Sequence, residues 1–288
     1  MMFFKKRFLS LYESPRGLAY GTQLLKRNNA PVESLEFLDY PADIALEDKV
    51  KDISINKVIG VVLTVYKDDY QLFHIKRPVV HKSEFENAIL WVVQDKIFFQ
   101  EDDYILVNFP CEKLLPVEEV FVVAFKKKEL LEKIEVLKKQ FRQVISLKIP
   151  ELSAIALCDY QDPKKEKFVL YLDNTTGKDT IYLIRNHKLV KSVVSPVQFN
   201  QPVSQESCLL VSDIIQTLIT QYSMKLHFEV HISPTLTTIE SWVEQLEQVF
   251  HGKVFHATCA ALEESLENPN SEQRLAIGGG LAYSKEKI

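Results

Sequence analysis

The order in which predicted strands and helices follow one another restricts the fold of this chain more than any single residue. A set of short strands leads into helices at the N-terminus, and the same order returns after residue 166. Strands and helices that alternate along the chain are typical of α/β proteins. The length of 288 residues also exceeds the usual size of a single core. The pattern therefore predicts an α/β protein with two lobes.

The first half contains three predicted strands and one strongly apolar run. Arg7 to Tyr12 and Gly17 to Leu25 flank a turn, and Leu35 to Leu38 is a third short strand. Residues 58–65 read VIGVVLTV, a continuously apolar and β-branched run. Such a run is typical of a strand that is buried on both faces. We expect it in the centre of a sheet.

Two helices are predicted between residues 80 and 145. Ser83 and Glu86 have the spacing of a capping box at the start of the first helix. The second helix is rich in lysine, and its apolar residues recur at helical spacing. Glutamates on the same helix partly offset the lysines, so we interpret its charged face as solvated. A strand at 144–147 follows.

The second half begins with a predicted meander of three strands, at 168–172, 180–184 and 189–194. A long amphipathic helix, a strand near 226–232 and a helix capped by Thr237 follow. The chain ends in helical material that contains Gly278, Gly279 and Gly280, which we interpret as a closely packed turn.

Charge and cysteine content exclude several classes of function. The net charge is −4, whereas proteins that bind nucleic acids generally carry a clear basic excess. The four cysteines form no C-x-x-C pair, so neither a zinc ribbon nor a disulfide framework is expected. No apolar run approaches the roughly 20 residues that span a bilayer. We expect a cytoplasmic protein without a transmembrane segment.

Three segments resemble a known family. Residues 80–109 contain Glu84, Ala88 and Trp91 in an E-x-x-x-A-x-x-W helix that leads to an acidic turn and a strand. Residues 120–157 and the C-terminal RLAIGGGLAYSKEKI are also similar to that family. The family is PilM, with its MSHA-pilus relative MshI, of type IV pilus biogenesis. It is related to the cytoplasmic part of the type II secretion protein GspL.

The resemblance implies a duplicated, ribonuclease H-like, actin-like fold. The expected first lobe comprises residues 1–76, 143–163 and 272–288, with a small inserted α/β subdomain at 77–142. The second lobe is expected at 164–271. The resemblance also implies a protein peripheral to the inner membrane, which grips the cytoplasmic tail of a bitopic, PilN-like partner. A link to the assembly ATPase is part of the same expectation.

The glycines that cradle phosphate in actin-like ATPases are missing from three loops. In nucleotide-binding members the first strand ends in a D-x-G turn, whereas this chain has Ser10 and Tyr12 at those two positions. The loops near residues 195–200 and 231–235 also lack glycine. Phosphate loops need glycine because backbone N–H groups must approach the anion closely. We therefore expect neither ATP nor magnesium as a cofactor, and no catalytic residue.

One turn keeps an acid and two hydroxyls, in Asp173, Thr175 and Thr176, followed by Gly177. It is either a vestigial phosphate turn or a structural Asx turn between two strands. His227, Glu229 and His231 alternate on one predicted strand, but the histidines are too far apart for one metal ion. We interpret them as a polar strand edge and expect no metal site.

Phe85, Ile89 and Trp91 are the candidate anchors for a partner peptide, in a groove between the small subdomain and the main body. Phe85 and Ile89 also fit the apolar stripe of their helix, so packing in the core is the alternative for these two. Trp91 lies off the stripe. The functional hypothesis is a non-catalytic scaffold of a type IV or MSHA pilus, or of a related type II secretion assembly. An actin-like ATPase that uses Asp173, and an unrelated protein-binding module, remain open.

Overall fold

The computed structural model describes most of the chain. The described residues are 6–25, 31–41, 43–55, 58–99, 103–110, 119–158, 167–224, 227–234, 236–257 and 269–286.

Thirteen strands and seven α-helices lie within these residues. The strands are β1 Arg7–Ser14, β2 Gly17–Leu24, β3 Val32–Asp39, β4 Val58–Thr64, β5 Tyr70–Lys76, β6 Tyr104–Pro110, β7 Glu119–Lys126, β8 Val144–Lys148, β9 Phe168–Asp173, β10 Thr180–Arg185, β11 Lys188–Val194, β12 Phe228–Ile232 and β13 Val254–His256. The helices are α1 Leu46–Lys51, α2 Phe85–Val93, α3 Lys127–Phe141, α4 Pro150–Leu157, α5 Gln205–Gln221, α6 Ile239–Phe250 and α7 Ser271–Glu286.

Two five-stranded sheets have the same strand order. The first is β3-β2-β1-β4-β8 and the second is β11-β10-β9-β12-β13. In each sheet the first three strands form an antiparallel meander, and the last two run parallel to the meander's first strand. The apolar run at 58–65 forms β4, between β1 and β8, as its composition predicted. The α/β fold with two related halves is confirmed.

A third, three-stranded sheet has the order β5-β7-β6 and is antiparallel throughout. Its two faces are covered differently because side chains alternate along β7. Val120 and Val122 pack under α2, whereas Val123 and Phe125 pack with Leu130 of α3. Helix α2 therefore lies on the outer face of this sheet, away from the main body.

Helices α4 and α7 pack closely against each other, and the glycine triplet explains how. Gly278, Gly279 and Gly280 lie inside α7, so the expected turn is wrong, although the expected close packing is present. A Cβ on Gly278 would lie 2.2 Å from the backbone oxygen of Ser153 in α4. A Cβ on Gly279 would lie 2.2 Å from Thr64 Oγ1 in β4.

Two predicted helix caps are also wrong. Helix α2 begins at Phe85, after a 3₁₀ turn at Lys82–Glu84 in which the His81 side chain accepts from the Ser83 N–H. Helix α6 begins at Ile239, and the Thr237 N–H donates to Asn200 Oδ1 instead of capping the helix. Among the described helices, none is both long enough and apolar enough to cross a bilayer.

Candidate functional site

A cleft of about 290 Å³ lies where the first turns of the two meanders face each other. The turn after β1 and the turn after β9 form its two sides, and α7 begins at its base. Its lining residues are Tyr12, Ser14, Pro15, Arg16, Tyr66, Lys67, Thr175, Thr176, Gly177, Ser271, Glu272 and Leu275. This cleft contains both turns that the sequence comparison with actin-like ATPases singled out.

The first turn carries bulk where a phosphate loop needs open backbone. Tyr12 is buried, and its ring lies 6.4 Å from the ring of Tyr66. The Arg16 N–H donates to Ser14 Oγ, and the Arg16 guanidinium lies 3.2 Å from the Glu272 carboxylate. Pro15 has no N–H to donate. The turn therefore satisfies its own polar groups and offers no cradle for an anion.

The second turn directs its carboxylate inward. Asp173 is fully buried; its Oδ2 accepts from the Thr175 N–H at 2.9 Å and its Oδ1 from Thr175 Oγ1 at 2.6 Å. The Tyr171 hydroxyl donates to the same carboxylate at 3.2 Å. Burial raises the pKa of Asp173 in spite of these hydrogen bonds. The geometry is that of an Asx turn, the structural alternative that the sequence left open.

Lys67 reaches the second turn from the first lobe. A Cβ on Gly177 would lie 3.3 Å from Lys67 Nζ, so the ammonium group stands directly against this turn. Gly177 has a φ of +77°, and its N–H donates to the Asn174 carbonyl. The contact places a positive charge from the first lobe against the turn between β9 and β10. It joins residues that are far apart in the chain, so no pattern in the sequence predicts it.

The described residues contain no group of three or more His, Cys, Asp or Glu side chains that is suited to hold a metal ion. The Asp173 carboxylate is engaged internally by Thr175, and Glu272, which lines the cleft, contacts Arg16. Burial also raises the pKa of Tyr12 well above its ordinary range. Arg16 and Thr175 thus hold these two carboxylates in place.

The prediction of a polar strand edge at 227–231 is wrong. Strand β12 lies inside its sheet, between β9 and β13, and His231 is buried. Glu229 lies 3.1 Å from His231 Nε2 and 2.5 Å from the Lys167 ammonium. Burial lowers the pKa of His231. Lys167 and Glu229 thus form an ion pair, and His231 hydrogen-bonds to the same carboxylate.

A second depression, which we call the acidic groove, separates α1 from α3. It has a volume of about 400 Å³ and lies between the main body and the helix on the inner face of the small sheet. Its lining residues are Glu13, Asp43, Ile44, Ala45, Leu46, Glu47, Glu129, Glu132, Lys133 and Val136. Five of the ten side chains are acidic and one is basic, so the groove is strongly negative around an apolar floor.

The one lysine of the acidic groove is already engaged. Lys133 Nζ lies 3.0 Å from Glu13 Oε2 and 2.8 Å from Asp69 Oδ2. Although burial lowers the pKa of Lys133, these two carboxylates raise it on balance. Within the described part of the chain, the other four acids of the groove have no ion-pair partner. The lysine-rich helix thus turns an acidic stripe, Glu129 and Glu132, toward the groove; its sequence was interpreted only as a solvated face.

The candidate anchors Phe85, Ile89 and Trp91 do not share one groove against the main body. All three lie on α2, which covers the outer face of the small sheet. Ile89 is buried beneath the helix, and the Arg77 guanidinium lies 4.5 Å from the centre of the Phe85 ring. Trp91 is 74% exposed. A role in partner binding stays a prediction for Trp91, on the outer face, whereas Phe85 and Ile89 pack in the core cluster of the small sheet.

Two lobes with the same sheet topology, a cleft between their first turns and a small inserted sheet define the class of protein. This is the two-lobed, actin-like ATPase fold, with a ribonuclease H-like sheet in each lobe.

Comparison with solved structures agrees with this fold. The PilM–PilN type IV pilus biogenesis complex contains a chain that aligns with a TM-score of 0.64 and 14% identity, over 96% of this chain and 98% of that one. The cytoplasmic domain of EpsL, an inner-membrane component of the type II secretion system of Vibrio cholerae, aligns with a TM-score of 0.51 and 12% identity. That alignment covers 95% of this chain and 94% of the chain of the EpsL cytoplasmic domain. No protein-family model matches the sequence, and no curated protein is significantly similar to it.

Proposed function

We propose that this protein is a nucleotide-independent scaffold of a type IV pilus, an MSHA pilus or a related type II secretion assembly. It would act at the cytoplasmic face of the inner membrane and hold the cytoplasmic segment of a bitopic, PilN-like protein. The proposal rests on the residues that line the cleft between the first turns of the two lobes, which we call the interlobe cleft. Tyr12 and Pro15 line the side of the first turn, where a phosphate loop would have open backbone, and the Asp173 carboxylate is fully buried and held by Thr175.

Phosphoryl transfer needs several donors around the phosphates and a bound metal ion. At the turn after β1, Tyr12 and Pro15 face the cleft where a phosphate loop would have open backbone, and the Asp173 carboxylate near the other turn is held by Thr175. Both observations support a role for this fold that does not depend on nucleotide chemistry. A scaffold needs the shape of the lobes and their surfaces, and it does not need the chemistry of the cleft.

The acidic groove is the surface that we assign to the partner segment. Its floor of Ile44, Leu46 and Val136 accepts an aliphatic side chain, and its unpaired acids accept a cation. Complementary potentials steer encounter and reject partners of the wrong charge. The expected occupant is a short peptide with at least one arginine or lysine beside an aliphatic residue. The acidic groove lies between α1 of the main body and α3, whereas the anchors expected from the sequence lie on α2.

Thermal unfolding with and without millimolar Mg-ATP tests the nucleotide-independent part of this proposal. A ligand at 100 times its Kd stabilises the native state by about 2.7 kcal/mol, which shifts the midpoint measurably. We expect no shift. A shift that disappears in Asp173→Ala, together with magnesium-dependent ATP hydrolysis, would establish the alternative of an actin-like ATPase.

Binding of the cytoplasmic peptide of a bitopic, PilN-like pilus protein, measured by fluorescence anisotropy, tests the assignment of the groove. Glu132→Lys is expected to weaken binding by about tenfold, because it replaces an attraction by a repulsion at close range. Glu240→Lys makes the same change of charge on α6, outside the groove, and should leave binding unchanged. Equal effects of the two variants would remove the groove from the proposal.

A further inference from the structure

Sheet edges expose unpaired backbone groups, and proteins protect them with charges, short length or coverage. Three of the four edge strands of the two large sheets follow this rule. Strand β3 carries Glu33, Glu36 and Asp39, β11 carries Lys188 and Lys191, and β13 has only three residues. At one edge of the small sheet, His74 of β5 contacts Lys191 of the second lobe.

Strand β6, the other edge of the small sheet, is different. Its seven residues, YILVNFP, contain no charge, and among the described strands it pairs only with β7. None of its described side chains is fully buried, and Val107 is 46% exposed. An uncharged, apolar edge of this length is a template for the addition of another strand.

A groove of about 360 Å³ runs between β6 and α2 and has opposite charges at its two ends. Lys127 marks one end, because it follows Lys126, which pairs with Tyr104 at the start of β6. Glu86 marks the other end. Three contacts show that Glu86 lies at the Pro110 end of β6. Phe85, the neighbour of Glu86, contacts Arg77, which follows Lys76 at the end of β5. Lys76 pairs with Glu119 of β7, and the next residue of β7, Val120, pairs with Pro110. Helix α2 therefore runs antiparallel to β6, from the Pro110 end toward the Tyr104 end.

We propose that β6 is a self-association edge, at which two copies of this chain pair antiparallel about a two-fold axis near Val107. This register sets Ile105 opposite Phe109 of the second copy, twice, and Val107 opposite its own equivalent. The apolar residues of β6 thus meet across the axis, and no charge opposes a like charge on the strands. Such isologous pairing is the commonest symmetry of homo-oligomers.

The charges of the groove favour the same occupant. The two-fold axis brings the Lys127 end of one copy beside the Glu86 end of the other, so each dimer contains two Glu86–Lys127 contacts. The two small sheets join into one sheet of six strands, and both copies of α2 lie on its outer face. The acidic groove, between α1 and α3, lies off this edge, so this inference goes beyond the proposed function and is tested separately.

Sedimentation equilibrium of the purified full chain, over a range of concentrations, tests the proposal through paired charge reversals. Glu86→Lys and Lys127→Glu should each weaken the dimer by about tenfold, because each turns two attractions into two repulsions. An equimolar mixture of the two variants should regain dimerisation as a heterodimer, because both contacts then join opposite charges. The double variant Glu86→Lys/Lys127→Glu should dimerise like the parent.

Val107→Lys places two ammonium groups at the axis and should abolish the dimer, whereas Leu209→Lys, at an exposed position of α5, should not. Circular dichroism and the unfolding midpoint establish that each variant is folded. A parent protein that stays monomeric at every concentration overturns the proposal. A dimer that is indifferent to Val107→Lys, or that the mixture of charge variants fails to restore, overturns it as well.

Discussion

The ammonium group of Lys49 lies 3.2 Å from Glu13 Oε1, and the Lys49 side chain is only 2% exposed. Glu13 holds a second cation, Lys133, through its other oxygen, and Lys133 also contacts Asp69. Glu13 therefore sits at the centre of a network that links α1, β1 and α3. It also lies between Tyr12 and Ser14, which line the interlobe cleft, while Glu13 itself lines the acidic groove.

Replacing Glu13, which contacts both lysines, should cost more stability than replacing Lys49 alone. Glu13→Gln leaves the buried Lys49 without a charged partner, and breaking a buried pair in this way costs about 3–5 kcal/mol. Lys49→Met should cost less, because Glu13 keeps Lys133 as its partner. Urea unfolding at pH 7 gives both values. Equal losses for the two variants would show that Lys133 does not compensate.

Gly278→Ala should destabilise the protein by about 3 kcal/mol or more, although alanine is the better helix former by about 1 kcal/mol. The new Cβ would meet the backbone oxygen of Ser153 at 2.2 Å, and backbone in a packed helix cannot move away cheaply. Gly252→Ala is the control, since its Cβ would meet no atom within 4 Å and its φ of +69° is the only obstacle. Its expected cost is about 1 kcal/mol. The unfolding midpoints decide the order.

Stability should fall as the pH drops below 6.5, partly through His74. Burial, and then the Lys191 ammonium, lower the pKa of His74 below 6.5, in spite of the nearby Glu119 carboxylate. The unfolded chain then binds a proton that the folded protein does not, so the contribution of His74 is complete above pH 6.5 and is lost toward the folded pKa. The slope for one such group is at most about 1.4 kcal/mol per pH unit.

His74→Gln removes this titration while keeping hydrogen-bonding groups for Lys191 and Glu119. We expect a shallower loss of stability than in the parent between pH 6.5 and 5, measured by urea unfolding. His251→Gln is the control, because His251 lies at the exposed end of α6. Parallel curves for the parent and His74→Gln would mean that His74 is protonated equally in the folded and unfolded states.

Trp91 and Ile89 lie two residues apart on α2, but their truncation to alanine should cost very different amounts of stability. Trp91→Ala should change the free energy of unfolding by less than about 0.5 kcal/mol, because the side chain is largely exposed. Ile89→Ala should cost about 2–5 kcal/mol, because it leaves a cavity under the helix. If Trp91 contacts a partner, Trp91→Ala weakens capture of that partner at unchanged stability. If Trp91→Ala captures the partner as well as the parent protein does, Trp91 is not a binding residue.

The sequence identified the elements whose pattern reflects simple burial. Strand β4 is apolar at almost every position because it lies between two parallel strands and is covered by α7 on one face and by α3 on the other. Strand β5 was missed because only its ends, Tyr70 and Ile75, are fully buried, while Gln71 and His74 make polar contacts outside the sheet. Helix α4 was missed for the opposite reason: it is short and buried almost all round, so it has no amphipathic period.

Contacts between distant segments account for the rest. The glycine triplet looks like a turn in isolation, and only the closeness of α4 and β4 makes a glycine-rich helix favourable there. The absence of glycine from the loops at 10–12, 195–200 and 231–235 could be seen in the sequence. The approach of Lys67 to Gly177 could not, since it depends on how the two lobes face each other. The acidic groove likewise combines residues from three separate stretches of the chain.

The matching strand order of the two large sheets has a consequence for how such a protein can change over time. In each lobe most of the paired residues lie along the strands, and few of them line the cleft. The sheet architecture therefore places little restriction on which side chains face the cleft. Proteins with this fold can differ at the cleft while their sheets stay alike, and the surfaces of the same body are free to acquire new partners.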